Sequence, residues 1–279
     1  MKKYRLEHIL YNIFVQIIFI LLAATIIFSL YYLVANSFKS PNEFSSNQFA
    51  FPKSFDLENF KYIWNEGGIK NSFKNSLFIC FLSTLICILV AVLTGFTFSF
   101  KRFTGKRTLS YLILTTMYVS PMALVVPLFI QMSRLKLTNS YIGIIIIYIG
   151  LNLAYSIYLV STYFKNIPEE VIEAAVIDGC NNFGLLGRIY IPLSLSGLLV
   201  LFIIDFSTMW NDLLFSFIFL QDEKYQTIMI AIAKYQGKYG TGNMTYIISA
   251  LLIATLPILV LYLITQRYFK RGVLMGSIK

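Results

Sequence analysis

The stretch Ile167-Pro168-Glu169-Glu170-Val171-Ile172-Glu173-Ala174-Ala175-Val176-Ile177-Asp178-Gly179-Cys180 decides how this chain is organised. Pro168 suits the first turn of a helix, where a missing N–H is no loss, and the acidic residues that follow complement the positive end of the dipole. Ala174 and Ala175 leave a smooth face. After Asp178, Gly179 ends the helix by supplying a backbone position that other residues enter only with strain. Phe183, Leu185, Leu186 and Ile189 then give a second short apolar surface, and Pro192 is expected to open a new apolar run. The spacing predicts a helix, a turn and a second short helix with exposed apolar side chains, a unit that calls for a partner.

Working outward, this segment is flanked by runs that water would not tolerate. Of 279 residues, 57% are hydrophobic and only 13% charged, against roughly half and a quarter in a soluble domain. Six spans of about the length a bilayer helix needs fall at 11–35, 76–100, 108–131, 141–163, 193–220 and 246–266. The fold class is therefore all-α integral membrane protein. The first run follows Lys2, Lys3 and Arg5 but far exceeds a signal-peptide core of roughly 7–15 residues, so it reads as an uncleaved helix.

Basic residues orient the spans. Lys101, Arg102, Lys106 and Arg107 crowd one short connection and assign it to the cytoplasm, which brings the N-terminus 1–10, the segment 164–192 and the tail 267–279 inside as well. The formal charge of +10 is thus a topology signal in short clusters, and it excludes a nucleic-acid stripe. Two outer connections stand out. The stretch 36–75 reads as a loop with a short amphipathic helix near 57–65, lying on the membrane or on other outer loops, and 221–245, with Gly237, Gly240 and Gly242, reads as a flexible loop. Cys80, Cys87 and Cys180 form no disulfide framework, and a single histidine, His8, leaves no metal site or triad to assemble.

Charge inside the spans is scarce because it is costly there. Asp205 and Asp212 stand seven apart on one face of the fifth span, with Thr208, Met209 and Ser216 close to the same stripe. Two readings stay open: a wall of a substrate pathway, or aspartates near a membrane surface or paired structurally. Tyr148, Asn152 and Tyr155 in the fourth span would suit stacking against a sugar, or simple packing.

The chain carries no GxxxxGK[ST] loop, so energy from ATP must arrive through another subunit. Glu173-Ala174-Ala175, then Gly179, Ile189 and Pro192 at their spacings, resemble the EAA motif of ABC importer permeases, whose coupling helix docks into a groove on a cytoplasmic ATPase. Departures stand at Cys180, Leu186 and Ser196. Leu57-Glu58-Asn59-Phe60, Phe73-Lys74-Asn75-Ser76-Leu77, Trp210-Asn211-Asp212, Ala250, Pro257 and the tail from Gln266 to Lys279 are similar to the carbohydrate importers, in particular to the shorter six-span partner of a maltose-type pair; Asp212 stands where Glu is usual.

That resemblance implies a type I ABC importer permease fold and half of a translocation pore for a sugar or oligosaccharide. ATPase coupling would fall to Glu173, Ala174, Ala175, Asp178, Gly179, Leu185, Leu186, Ile189 and Pro192. It implies a second, related permease in a heterodimer, two ATPase subunits that hold ATP and Mg, an external solute-binding protein, and a place in a bacterial cytoplasmic membrane. No cofactor and no catalysis is expected of this chain. Competing readings are a permease for peptides, polyamines or phosphate, an ion-coupled secondary transporter, for which no repeat is visible, and a membrane enzyme, for which no acid, base and nucleophile converge.

Overall fold

The computed structural model describes the backbone of residues 2–101, 103–238 and 243–276, and the side chains of 11–101, 103–235 and 243–267. Among these residues the chain is helical without a strand. In order, the helices are α1 (Lys2–Ser37), α2 (Pro41–Ser46), α3 (Glu58–Asn65), α4 (Ile69–Phe100), α5 (Lys106–Thr116), α6 (Pro121–Arg134), α7 (Tyr141–Lys165), α8 (Glu169–Ile177), α9 (Asn182–Leu185), α10 (Ile191–Leu193), α11 (Leu195–Trp210), α12 (Leu214–Phe219), α13 (Ile228–Lys238) and α14 (Met244–Gly276). A π turn, Leu186–Tyr190, joins α9 to α10.

Among the described residues, four helical stretches are long and apolar enough to cross a bilayer: Tyr11–Ser37, Ile69–Phe100, Tyr141–Lys165 and Met244–Arg267. Two bent pairs raise the number to six if each counts as one crossing. These pairs change the third and fifth expected spans. The third is α5 and α6, set at 97°, because a residue preceding proline is pushed out of the α region and Ser120, before Pro121, has φ −62 and ψ 127. The fifth breaks at 76° after Leu193. Pro192 does not open it: the proline lies inside the helical run before the bend, and the straight part begins at Leu195. A proline inside a helix clashes with the carbonyl four residues back, and here the preceding turn widens so that the Ile191 N–H donates to Leu186, five residues away.

The helices gather into two compact units, Met1–Lys70 with Ile232–Thr255, and Asn71–Ala231 with Leu256–Lys279. In the first, the Thr25 and Ser29 hydroxyls of α1 bond the carbonyls one turn back, at 2.9 Å each. The short helix expected near 57–65 is α3, and its buried Asn59 donates to the Ser37 and Lys39 carbonyls at 3.2 and 2.8 Å. The Ser249 hydroxyl reaches the same Ser37 carbonyl at 2.8 Å, so the end of α1 is not left unpaired. The loop expected at 221–245 contains a helix, α13, over Ile228–Lys238, whose first residues Ile228 and Ile230, in the second unit, are buried. Gly240 and Gly242 lie outside the described residues, as does the end of the tail after Gly276.

In the second unit one apolar core gathers α4, α7, the segment 167–190 and α11. Val92 and Phe96 meet Val160, Phe164, Leu185 and Leu201 there.

Candidate functional site

The segment 164–192 builds itself by local rules. α8 starts after Pro168, whose φ of −56 and ψ of 138 place it just outside the first turn, with Glu169 and Glu170 at the positive end of the dipole. Its end is a Schellman arrangement: the Gly179 N–H donates to Val176 and the Cys180 N–H to Ala175, both at 3.0 Å. Gly179 has φ +81, the left-handed conformation expected of it. Asn181 then caps α9 by accepting from the Gly184 N–H at 2.8 Å.

Packing sorts the residues of this segment into a base and a crest. Ala175, Leu185, Leu186 and Tyr190 are buried in the core, and Ile189 is half-buried. Tyr190 is the pillar of the base. Its ring meets Phe96 edge-on at 4.9 Å and Phe164 at 5.1 Å, an arrangement that favours aromatic pairs beyond area alone. The crest is Ile177, 85% exposed, and Phe183, 81% exposed, with Val176 beside them. Glu173, Ala174, Asp178, Gly179 and Pro192 are also exposed.

Of the residues to which the resemblance assigns ATPase coupling, Ala175, Leu185 and Leu186 are buried in the core rather than exposed. A four-residue helix followed by a π turn does not keep the angular phase of a straight helix, so both leucines turn inward. Ile177 and Val176 were not singled out, although their place one turn from Gly179 is the signal that could have found them. The Lys101 ammonium donates to the Asn182 side chain at 2.9 Å, which ties the most basic connection of the chain to this segment.

The polar residues of the spans are mostly engaged with each other. Asp205 is 1% exposed, and its Oδ2 accepts from the Ser156 hydroxyl at 2.8 Å, while Oδ1 has no hydrogen-bond partner among the described residues. Asp212 accepts from the Tyr148 hydroxyl at 2.9 Å and from the backbone N–H of Ser216 at 2.9 Å and of Phe215 at 3.3 Å, so it caps α12 and ties it to α7. Met209 is buried, and the Thr84 hydroxyl meets its sulfur at 3.5 Å. Thr208 is exposed and bonds its own helix at Ile204. Asn152 turns back to the Tyr148 carbonyl at 2.8 Å, and Tyr155 packs against the apolar core. The two stripes meet where the Tyr148 hydroxyl donates to Asp212.

Three other residues from the strings noted in the sequence, Asn75, Ser76 and Trp210, also act as clamps. Asn75 donates to the carbonyls of Lys224 and Gln226 at 2.9 and 3.0 Å and accepts from the Tyr141 hydroxyl at 2.9 Å. Ser76 accepts from the Ile228 N–H at 2.7 Å. Trp210 is buried between Phe206, stacked at 5.5 Å, and Phe73, edge-on at 5.8 Å.

With this geometry in place, the comparisons are specific. The chain is 31% identical over 254 residues to the probable ABC transporter permease protein YurM of Bacillus subtilis (strain 168), covering 91% of this chain and 84% of that protein. It is 30% identical over 250 residues to the melibiose/raffinose/stachyose import permease protein MelC of the same organism, covering 89% and 90%. The fold matches a chain in the crystal structure of a bacterial ABC transporter involved in the import of the acidic polysaccharide alginate, with a TM-score of 0.81 at 22% identity over 93% of this chain and 96% of that one. This is the type I ABC importer permease fold. Residues 78–275 match the family of binding-protein-dependent transport system inner membrane components, and the chain belongs to that family, as a multi-pass ABC importer permease subunit.

Proposed function

We propose that this chain forms half of the translocation pore of an importer for a sugar or oligosaccharide, driven by separate ATPase subunits. The observation that carries the reading is the crest of α8 and α9, where Ile177 and Phe183 stand exposed on a base locked into the core by Tyr190. An apolar crest on a rigid base suits docking into a groove and the transfer of a push to the helices behind it. The sugar specificity is supported by the likeness to an import permease for melibiose, raffinose and stachyose.

The expected assembly has a second, related permease in a heterodimer, two ATPases that bind ATP and Mg, and an external solute-binding protein. Both termini lie in the cytoplasm of a bacterium. The contact of Lys101 with Asn182 supports that orientation, because it sets the basic connection and the crest on one side. The mechanism is alternating access. Closure of the ATPases on ATP draws the crests together and favours the outward-open pore, and each ligand shifts the balance only by its differential affinity for the two states. The chain itself holds no nucleotide.

Gly179→Pro tests the coupling, since proline fixes φ near −65° against the +81 found here. Uptake should be abolished and the ATPase should fail to co-purify while the spans remain inserted. Unchanged uptake would refute the assignment. Phe183→Asp, which leaves the backbone alone, should weaken co-purification in the same way.

A further inference from the structure

The break between α5 and α6 carries polar groups to which no role has been given. The two helices stand at 97°, and residues 117–120 between them are irregular backbone. The N–H groups of Met117, Tyr118 and Val119 donate back to Leu114, Thr115 and Thr116 at 3.1, 3.1 and 3.2 Å. The carbonyls of Met117, Tyr118 and Val119 accept from no N–H or hydroxyl among the described residues. The neighbouring hydroxyls of Thr115 and Thr116 bond Tyr111 and Ile113 instead, at 2.8 and 2.6 Å. One turn on, Pro127 has no N–H to give the Ala123 carbonyl. The side chains are just as bare, Tyr118 being 90% exposed and Met122 75%.

These acceptors lie deep. α5 starts at the basic turn of Lys101 to Arg107, and its 11 residues rise about 16 Å. At a tilt of about 40°, the upper end for membrane helices, they still descend about 12 Å, past a headgroup layer about 5–8 Å thick. No residue from 108 to 133 is charged. The depth holds whether the pair crosses the bilayer or re-enters it. Irregular backbone at membrane depth is stable only where protein covers it or water reaches it, so lipid does not lie against 117–119.

A half-pore needs a wetted wall, and the other polar residues of the spans are already engaged. Asp205, Asp212 and Asn152 are tied to groups of this chain, and the exposed hydroxyls of Thr25, Ser29 and Thr208 bond their own helices. The break instead offers a run of bare acceptors beside an exposed ring. Water and a hydroxyl-bearing solute satisfy such a run one molecule at a time, whereas a covering protein must bring a separate donor to each carbonyl. We propose that residues 117–123 are this chain's wall of the solute path, with the bare carbonyls accepting from water and solute hydroxyls and Tyr118 as the most exposed side chain. The wall rests on the reading of this chain as half a pore.

The test uses the complete transporter in proteoliposomes, with Tyr118→Cys or Met122→Cys in the native chain and a membrane-impermeant cationic methanethiosulfonate supplied to one face at a time. Modification is read by mass spectrometry on the peptide that carries the new cysteine, so Cys80, Cys87 and Cys180 stay in place. Ile144→Cys, at a fully buried position, sets the baseline. From at least one face, labelling at 118 and 122 should change ten-fold or more between the nucleotide-free and the ATP–vanadate-trapped complex, and exceed the baseline in the faster state. Labelling no faster than the baseline in either state means that protein or lipid covers the break. A rate unchanged between states means an ordinary wetted surface, and either result overturns the proposal. ATP hydrolysis stimulated by the solute-binding protein, measured on the unsubstituted complex, separates the two failures. Its absence refutes the half-pore reading and the wall with it; its presence without labelling refutes the wall and leaves the half-pore standing.

Discussion

Gly179 turns α8 into α9 at φ +81 with no atom within 4 Å of where a Cβ would stand, so alanine there meets backbone strain alone. That strain is about 1–2 kcal/mol. Amide exchange across α8 in Gly179→Ala should quicken about 5- to 30-fold while the long spans keep their protection. Asp212 is legible in the sequence only as a carboxylate on an apolar helix; its partners Tyr148, Phe215 and Ser216 make it a cap and a tie. Asp212→Ala removes a helix cap, at a cost of about 1 kcal/mol, and strands a buried hydroxyl, at about 1–3 kcal/mol. The melting temperature in detergent should fall, and Tyr148→Phe added to that variant should cost less than Tyr148→Phe alone, because the shared bond is already gone. Normal uptake and normal stability in Asp212→Ala would remove the residue from both roles. The strings Asn59, Asn75 and Ser76 were visible as resemblances, but their work in pairing exposed carbonyls and amide groups depends on residues far along the chain.

Among the helices, α7 and α11 approach closely through Gly197, where an added Cβ would stand 2.6 Å from the Tyr163 ring. An extra methyl in such a place costs about 1–3 kcal/mol. Gly197→Ala should lower the melting temperature, and Tyr163→Ala on that background should restore part of the loss, a coupling that a double-mutant cycle measures. No helical pattern marks Gly197 as a contact, because the pattern identifies a face and not the neighbour it meets. The same limit explains the bent third and fifth spans. Proline at 121 is a visible stop, but a window that counts only apolar residues runs across it, and the bend after Leu193 comes where a π turn and Pro192 have already shifted the helix. The sequence reads as a loop at α13 for the complementary reason. Gly237 and the glycines that follow the helix signal a turn, while Ile228 and Ile230 find burial that only other helices provide.

For the whole chain, function is a property of the assembly. The purified subunit should hydrolyse no ATP, whereas the same chain reconstituted with its second permease and ATPases should show ATP hydrolysis stimulated by the solute-binding protein. Turnover by the isolated subunit would contradict the role proposed for it. Composition, the length of the apolar runs and the helix that Pro168 begins and Gly179 ends were settled by the sequence alone, because solvation of a run and closure of a helix depend on residues within a few positions of each other. Which apolar residues of 176–190 point outward, what Asp205 and Asp212 hold, and where two spans bend were settled only by the tertiary structure. Each depends on which distant helix stands opposite, and local spacing carries no record of that.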